Sequence, residues 1–169
     1  MLISLIACVS NNGIIGNKGK MPWNNKEEMA FFKEKTTNHP VIMGKKTYDS
    51  LNNKPLKNRF NIVVTSNTDL YTVSPSTPHG PVYVSSLKDA IDLVGDETNE
   101  IFIIGGRRIY NDALVLDYID RMYLNVLTEN YEGDTDFPYY NPDEWLITPS
   151  EIQYKTFKSY LLQKRRQQI

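Results

Sequence analysis

Short, continuous apolar runs constrain this chain more than any other feature of its sequence. Residues 3–9, 40–44, 60–65, 82–84, 100–104 and 122–127 are such runs, and turn residues or helical segments separate them. All are far shorter than the roughly 20 residues that a membrane-spanning helix needs. Because they are continuous, not alternating, they read as strands buried on both faces. Helical segments are predicted over 26–36, 46–51, 86–94 and 108–116, the third opening on Ser86-x-x-Asp89. This βαβ rhythm predicts an α/β fold in one domain, residues 1–169, with a mixed, mostly parallel central sheet and helices on both faces. At the end, strand-like 122–127 and 154–163 have no predicted helix between them and should pair antiparallel at one edge. The polar stretch 67–81, with three prolines, is the predicted long loop.

Composition removes several classes of function. The net charge is −1 with 23% charged residues, which argues against nucleic acid as the main partner. Lys164-Arg165-Arg166 is read as a solvated chain end. The single cysteine, Cys8, permits no internal disulfide and suits a reducing, cytoplasmic setting. It lies in an apolar run and is expected as a small core residue. His39 and His79 are far apart, no cluster has metal-ligand spacing, and there is no serine nucleophile elbow. Neither a metal nor a membrane partner is expected.

The chemistry gathers in three places. Residues 16–32 hold a glycine-bearing loop, Met21-Pro22-Trp23, and a helix start with Asn24 or Asn25 as N-cap. Glu28 and Phe32 are four apart and share a face. The acid then either closes its own helix end in a capping box, Asn25-x-x-Glu28, or faces an apolar wall and holds a polar ring. The other two places are strand-to-helix junctions, Met43-Gly44-Lys45-Lys46-Thr47 and Ile104-Gly105-Gly106-Arg107-Arg108. Helix N-termini preceded by glycine and bearing cations suit phosphate, and two of them suit a diphosphate with a further phosphate.

Taken in order, these motifs resemble dihydrofolate reductase over essentially the whole chain. The resemblance is carried by Ile6-Ala7, Ile15-Gly16, Met21-Pro22-Trp23-Asn24 and Pro40-Val41-Ile42-Met43-Gly44-x-x-Thr47. It continues through Pro55-Leu56-x-x-Arg59-x-Asn61, Thr65-Ser66, Ile104-Gly105-Gly106 with Tyr110, and Glu132-Gly133-Asp134-Thr135-Asp136-Phe137-Pro138. It implies NADPH-dependent reduction of 7,8-dihydrofolate to tetrahydrofolate, which supports one-carbon and thymidylate metabolism, by a cytoplasmic monomer that also binds antifolates. Glu28 would hold the pterin, with Glu27 exposed. Ile6, Ala7, Met29, Phe32 and Leu51 would wall the rings, and Arg59 would take the substrate's α-carboxylate. Met21 and Trp23 would close the site, with Gly16 and Gly19 giving the loop freedom. Segment 133–135 resembles the loop that steadies that closure.

For NADPH, the resemblance implies contacts from Ala7, Ile15, Gly16, Gly44, Lys45, Lys46, Thr47, Thr65, Ser66, Arg107, Arg108 and Ile109. Gly105 and Gly106 would approach the nicotinamide across a cis bond. Tyr110 would touch the ring near the hydride path, unless it is a core tyrosine with its hydroxyl satisfied. Many relatives carry Asp where this chain has Glu28, and usually Thr where it has Asn125, so Asn125 would support the acid differently. The other readings are a reductase of a riboflavin-precursor ribosylamine and a non-catalytic nucleotide-binding protein of the same fold.

Overall fold

A computed structural model describes residues 1–67, 69, 80–96 and 98–166 of the chain. His79 and most of the predicted loop over 67–81 lie outside the described residues. The elements run β1 (Leu2–Val9), β2 (Ile14–Gly16), α1 (Lys26–Thr36), β3 (Val41–Gly44), α2 (Lys45–Ser50), β4 (Asn61–Val64), β5 (Val82–Val84) and α3 (Leu87–Val94). They continue as β6 (Glu100–Gly105), α4 (Arg107–Val115), β7 (Arg121–Leu127), β8 (Thr135–Asp136), β9 (Trp145–Pro149) and β10 (Phe157–Lys164). An eight-stranded sheet has the order β5-β4-β3-β6-β1-β7-β10-β9, and β2 pairs with β8 in a separate ribbon. Strands β5 to β7 in that order are parallel, whereas β10 is antiparallel to both β7 and β9.

Two predictions about strands need correcting. The edge is β9, not the last strand, and β10 starts at Phe157, three residues later than expected. In β9 only Trp145 is buried, while Leu146 and Ile147 are 49% and 44% exposed, so the segment lacks the apolar continuity of the central strands. The β2–β8 ribbon is too short for any periodic signal.

Strand alternation divides the core. Ile6 and Cys8 face α1 and α2 with Phe31, Met43, Tyr48 and Phe102. Leu5, Ala7 and Val9 face α3 and α4 with Ala90, Ile109 and Tyr110. Buried Cys8 is a core residue as predicted. From neighbouring β1 and β6 the chain leaves in opposite directions, to β3 through α1 and to β7 through α4. Ligands of open α/β sheets sit in the crevice that such a reversal leaves at the carboxyl ends of the strands.

The basic terminus is not a free solvated end. The Lys164 ammonium pairs with Asp117 (3.2 Å) and Glu144 (2.9 Å) over the Trp145 ring, and Arg166 pairs with Asp120. Packing of β9 on β10 brings Glu144 to it, and pairing of β7 with β10 brings Asp117 and Asp120 from the turn before β7.

Candidate active site

Asn25 caps α1: its side-chain oxygen accepts the Glu28 N–H at 3.0 Å. The reciprocal half of a capping box is absent, because the Glu28 carboxylate turns inward and accepts from Asn125 Nδ2 on β7 at 3.3 Å. Glu28 is 6% exposed, Asn125 is fully buried, and Glu28 makes no ion pair among the described residues. Burial pushes the carboxyl above its ordinary range, and the Asn125 bond partly offsets this. A buried, uncompensated carboxylate costs several kcal/mol, on the order of its desolvation, and so marks a functional site. Among the described residues, Asn125 Oδ1 and Trp23 Nε1 are buried without hydrogen-bond partners.

One residue earlier, Glu27 stays at the surface, as helical geometry requires. It is engaged, however: it accepts from the Lys155 and Thr156 N–H groups, each at 3.0 Å, and from the Thr156 hydroxyl at 2.7 Å. The Thr156 hydroxyl bond, with backbone bonds from Lys155 and Thr156, holds its carboxyl below the usual range. Glu27 therefore fastens α1 to the start of β10.

The apolar wall differs in part from expectation. Ile6, Phe32 and Leu51 belong to the cluster on α1's side, as does Trp23. Ala7 belongs to the opposite face, so its methyl does not join Ile6 there; Cys8 does, and strand alternation alone was enough to find it. Burial first and the Glu28 charge second raise the Cys8 thiol pKa, leaving the sulfur neutral. Met29 and Met21, 54% and 56% exposed, stand outside the packed wall.

Arg59 is held in place by groups of its own chain. Its Nε donates to the Lys57 carbonyl and Nη1 to Thr36 Oγ1, both at 2.9 Å. Thr36, fully buried, donates in turn to the Phe32 carbonyl at 2.8 Å. Sequence reading missed this threonine, since a hydroxyl at the last turn of a helix carries no special signal.

The two glycine junctions lie side by side, because β3 pairs with β6 and Met43 is in register with Gly105. Gly44 and Gly106 are the N-caps of α2 and α4; neither helix has a side-chain cap or an acid in its first turn. Their first turns carry Lys45, Lys46, Arg107 and Arg108 instead. A Cβ on Gly106 would meet only Thr47 Oγ1, at 3.4 Å, so the two helix starts nearly touch. The Gly105–Gly106 peptide is cis. Gly105 has φ +119, and a Cβ there would lie 3.1 Å from the Tyr110 ring. Ile109 packs close beneath Gly44. Adjacent unpaired helix N–H groups, cations and glycine-bared backbone fit a diphosphate cofactor.

Within this region Tyr110 follows the competing account. It is buried, with its hydroxyl 2.8 Å from the Ile6 carbonyl and 2.9 Å from that of Ile104, tying β1 to β6. Burial raises its pKa steeply. Lys45 pairs with Asp49, and Arg107 with Asp136 at 3.1 Å. Lys46 and Arg108 make no ion pair among the described residues. Thr65 and exposed Ser66 follow the carboxyl end of β4.

The active-site loop is more tightly held than its glycines suggested. Asn17 and Lys20 exchange backbone hydrogen bonds, and Lys18 (φ +52) and Gly19 (φ +81) form the turn. Gly16 allows close approach, not freedom: a Cβ there would sit 3.4 Å from Thr135 Cβ. Ile15, half-buried, packs against the core from β2. Asp134 accepts the Lys18 N–H at 3.1 Å, and the Trp23 ring meets Tyr131 edge-on at 5.2 Å.

The sequence model of the dihydrofolate reductase family matches residues 2–164. The chain belongs to the dihydrofolate reductase family. Among curated relatives, dihydrofolate reductase of Bacillus subtilis (strain 168) is 39% identical over 158 residues, covering 94% of this chain and 88% of that protein. Dihydrofolate reductase of Haemophilus influenzae is 34% identical over 153 residues, covering 90% and 89%. A solved structure, dihydrofolate reductase from Enterococcus faecalis complexed with NADP(H) and RAB-propyl, superposes with a TM-score of 0.83 at 26% identity, covering 98% of this chain and 97% of that one. No helix among the described residues is long and apolar enough to cross a membrane.

Proposed function

We propose that this member of the dihydrofolate reductase family reduces 7,8-dihydrofolate to 5,6,7,8-tetrahydrofolate with NADPH. The observation that carries the reading is Glu28: a buried carboxylate at the start of α1, held by an amide and with no ion pair among the described residues. Such a group selects a ligand edge that presents N–H donors, as the ring N–H and exocyclic amine of a pterin do. Antifolates built on a diaminopyrimidine present the same edge.

NADPH, when bound, supplies the hydride. The open starts of α2 and α4 would hold its phosphates, with Lys46 and Arg108, which make no ion pair among the described residues, as the cations and Thr47, Thr65 and Ser66 adding hydroxyls. Lys45, Gly44, Gly105 and Gly106 complete that wall. Glu28 stabilises positive charge on the substrate ring and so raises the basicity of the ring nitrogen that must be protonated. Ile6, Cys8, Phe32 and Leu51 exclude water beside it, and Trp23 closes the loop side. Arg59, already aimed by Thr36, presents its planar fork to the substrate's α-carboxylate. A cytoplasmic monomer remains our reading of its setting.

The test is dihydrofolate-dependent loss of NADPH absorbance by purified protein, run beside a riboflavin-precursor ribosylamine. Turnover of the ribosylamine alone, or of neither, overturns the proposal. In Arg59→Lys, dihydrofolate is expected to bind more weakly while dihydropterins lacking the glutamate are little affected. Equal losses for the two substrates would place Arg59 elsewhere.

A further inference from the structure

We propose that Arg107 and Asp136 form a clasp that fastens the active-site ribbon to the cofactor-side helix, making Asp136 a positioning residue for the reaction. The ribbon is a distinct body: Ile14 pairs with Asp136 and Gly16 with Thr135, apart from the main sheet. Inside it the fit is close. The Phe137 N–H donates to the Gly13 carbonyl at 2.9 Å, and a Cβ on Gly133 would fall 2.4 Å from Ile14 Cγ2 and 2.5 Å from the Gly16 oxygen. Beyond Gly16 the chain turns at 17–20 and runs through Met21, Pro22 and Trp23 into the helix that carries Glu28. Whatever holds the ribbon thus holds the loop.

The ribbon and the residue that follows it reach α4 through their side chains. The Phe137 ring packs on Tyr110 with centroids 5.5 Å apart, and Arg107 Nε donates to Asp136 Oδ1 at 3.1 Å. The ion pair also answers a local problem. Arg107 and Arg108 put two positive charges at the positive end of the α4 dipole, where the helix has no acid of its own. Asp136 brings a carboxylate there from the ribbon. Neutralised in this way, Arg107 is committed to the loop, and Arg108 is left at this helix start without an ion pair among the described residues. The cofactor-side helix and the loop over the substrate are thereby mechanically joined.

The proposal rests on the reductase reading only for its kinetic arm; loop protection is read without substrate. The variants are Arg107→Gln, Asp136→Asn and the double variant, with Arg107→Lys as the charge-keeping control. Backbone amide exchange of residues 14–20 is expected to rise about two- to fivefold in both single variants and by no more in the double, the scale of an exposed ion pair. Arg107→Lys should recover part of the protection. Raising ionic strength should bring the parent protein toward the variants and leave the variants unmoved. In the kinetic arm, single-turnover hydride transfer in Asp136→Asn is expected to slow by a similar factor while its NADPH affinity stays within about twofold. Additive effects in the double variant, or unchanged exchange in Asp136→Asn, overturn the clasp. A tenfold weaker NADPH affinity in Arg107→Gln alone makes Arg107 a phosphate ligand and also overturns it. Absence of turnover in the parent protein counts against the reductase reading and leaves the exchange result to decide the clasp.

Discussion

Helices α1 and α3 begin closed, whereas α2 and α4 begin open. In α1 the Asn25 side chain, and in α3 the Ser86 hydroxyl, accepts a backbone N–H of the first turn, and both first turns carry acids. In α2 and α4 a glycine stands at the N-cap, no side chain accepts, and the first turns carry cations instead. A closed start satisfies itself; an open one keeps N–H groups and partial positive charge for an anion from outside. The closed start of α1 has its own consequence. The cap is made without the Glu28 carboxylate, which turns inward to Asn125 and is left for the ligand.

The largest expected effect tests that carboxylate. Glu28→Gln should slow hydride transfer by about 10²–10⁴-fold at neutral pH, the range of general acid–base contributions, with partial recovery as pH falls and the solution protonates the substrate. The same variant should be more stable than the parent at neutral pH. Burial raises the Glu28 pKa, so the folded state binds the proton more tightly than the unfolded one. Parent stability then falls as pH rises from the ordinary carboxylate range through the raised value, and the glutamine variant escapes that loss. Single-turnover rates and denaturation against pH measure both. A Glu28→Gln protein that is destabilised at neutral pH would return the carboxylate to the helix end and break the comparison.

Next in size is the open start of α4. Losing one charged partner costs roughly 2–5 kcal/mol when buried and less at a wet rim. Exposed Arg108 belongs at the low end, so Arg108→Ala should weaken NADPH about tenfold and NADH far less. Matched losses for the two cofactors would remove Arg108 from the 2′-phosphate. The closed starts should respond in stability instead. Asn25→Ala and Ser86→Ala are each expected to lower unfolding free energy by about 1 kcal/mol, read from denaturant midpoints, with NADPH affinity unaltered in Ser86→Ala. A cofactor effect from Ser86 would blur the two classes. Smallest of all, Glu27→Gln should leave the hydride-transfer rate nearly unchanged, because its bonds run to Lys155 and Thr156 just before β10 and not to the site. A crippled Glu27→Gln would exchange the roles assigned to the two neighbouring acids.

Much of this could be read along the chain. The boundaries of α1 are those predicted, and those of α2, α3 and α4 agree within a residue or two, because capping residues and apolar spacing are local. The glycine-then-cation junctions were visible for the same reason, and helical spacing put Glu28 and Phe32 on one face, while the choice of Glu28 as the acid rested on the family resemblance. Even the exchange of Ala7 for Cys8 on the α1 face lay within reach, since a strand has a period of two. Less legible were β9, which is buried at one residue only, and the three-residue and two-residue strands of the ribbon.

By itself, then, the sequence determined the α/β rhythm, the helix starts and the residue types gathered at each strand end. The tertiary structure decided the partnerships. Asn125 reaches Glu28 across 97 positions, Arg59 meets Thr36 across 23, and Arg107 meets Asp136 across 29. Each depends on which strands are neighbours and in what register, and a slip of one residue would turn every side chain of a strand to the other face. Local sequence sets what a segment can form, but only the packed sheet brings one segment's donor to another's acceptor.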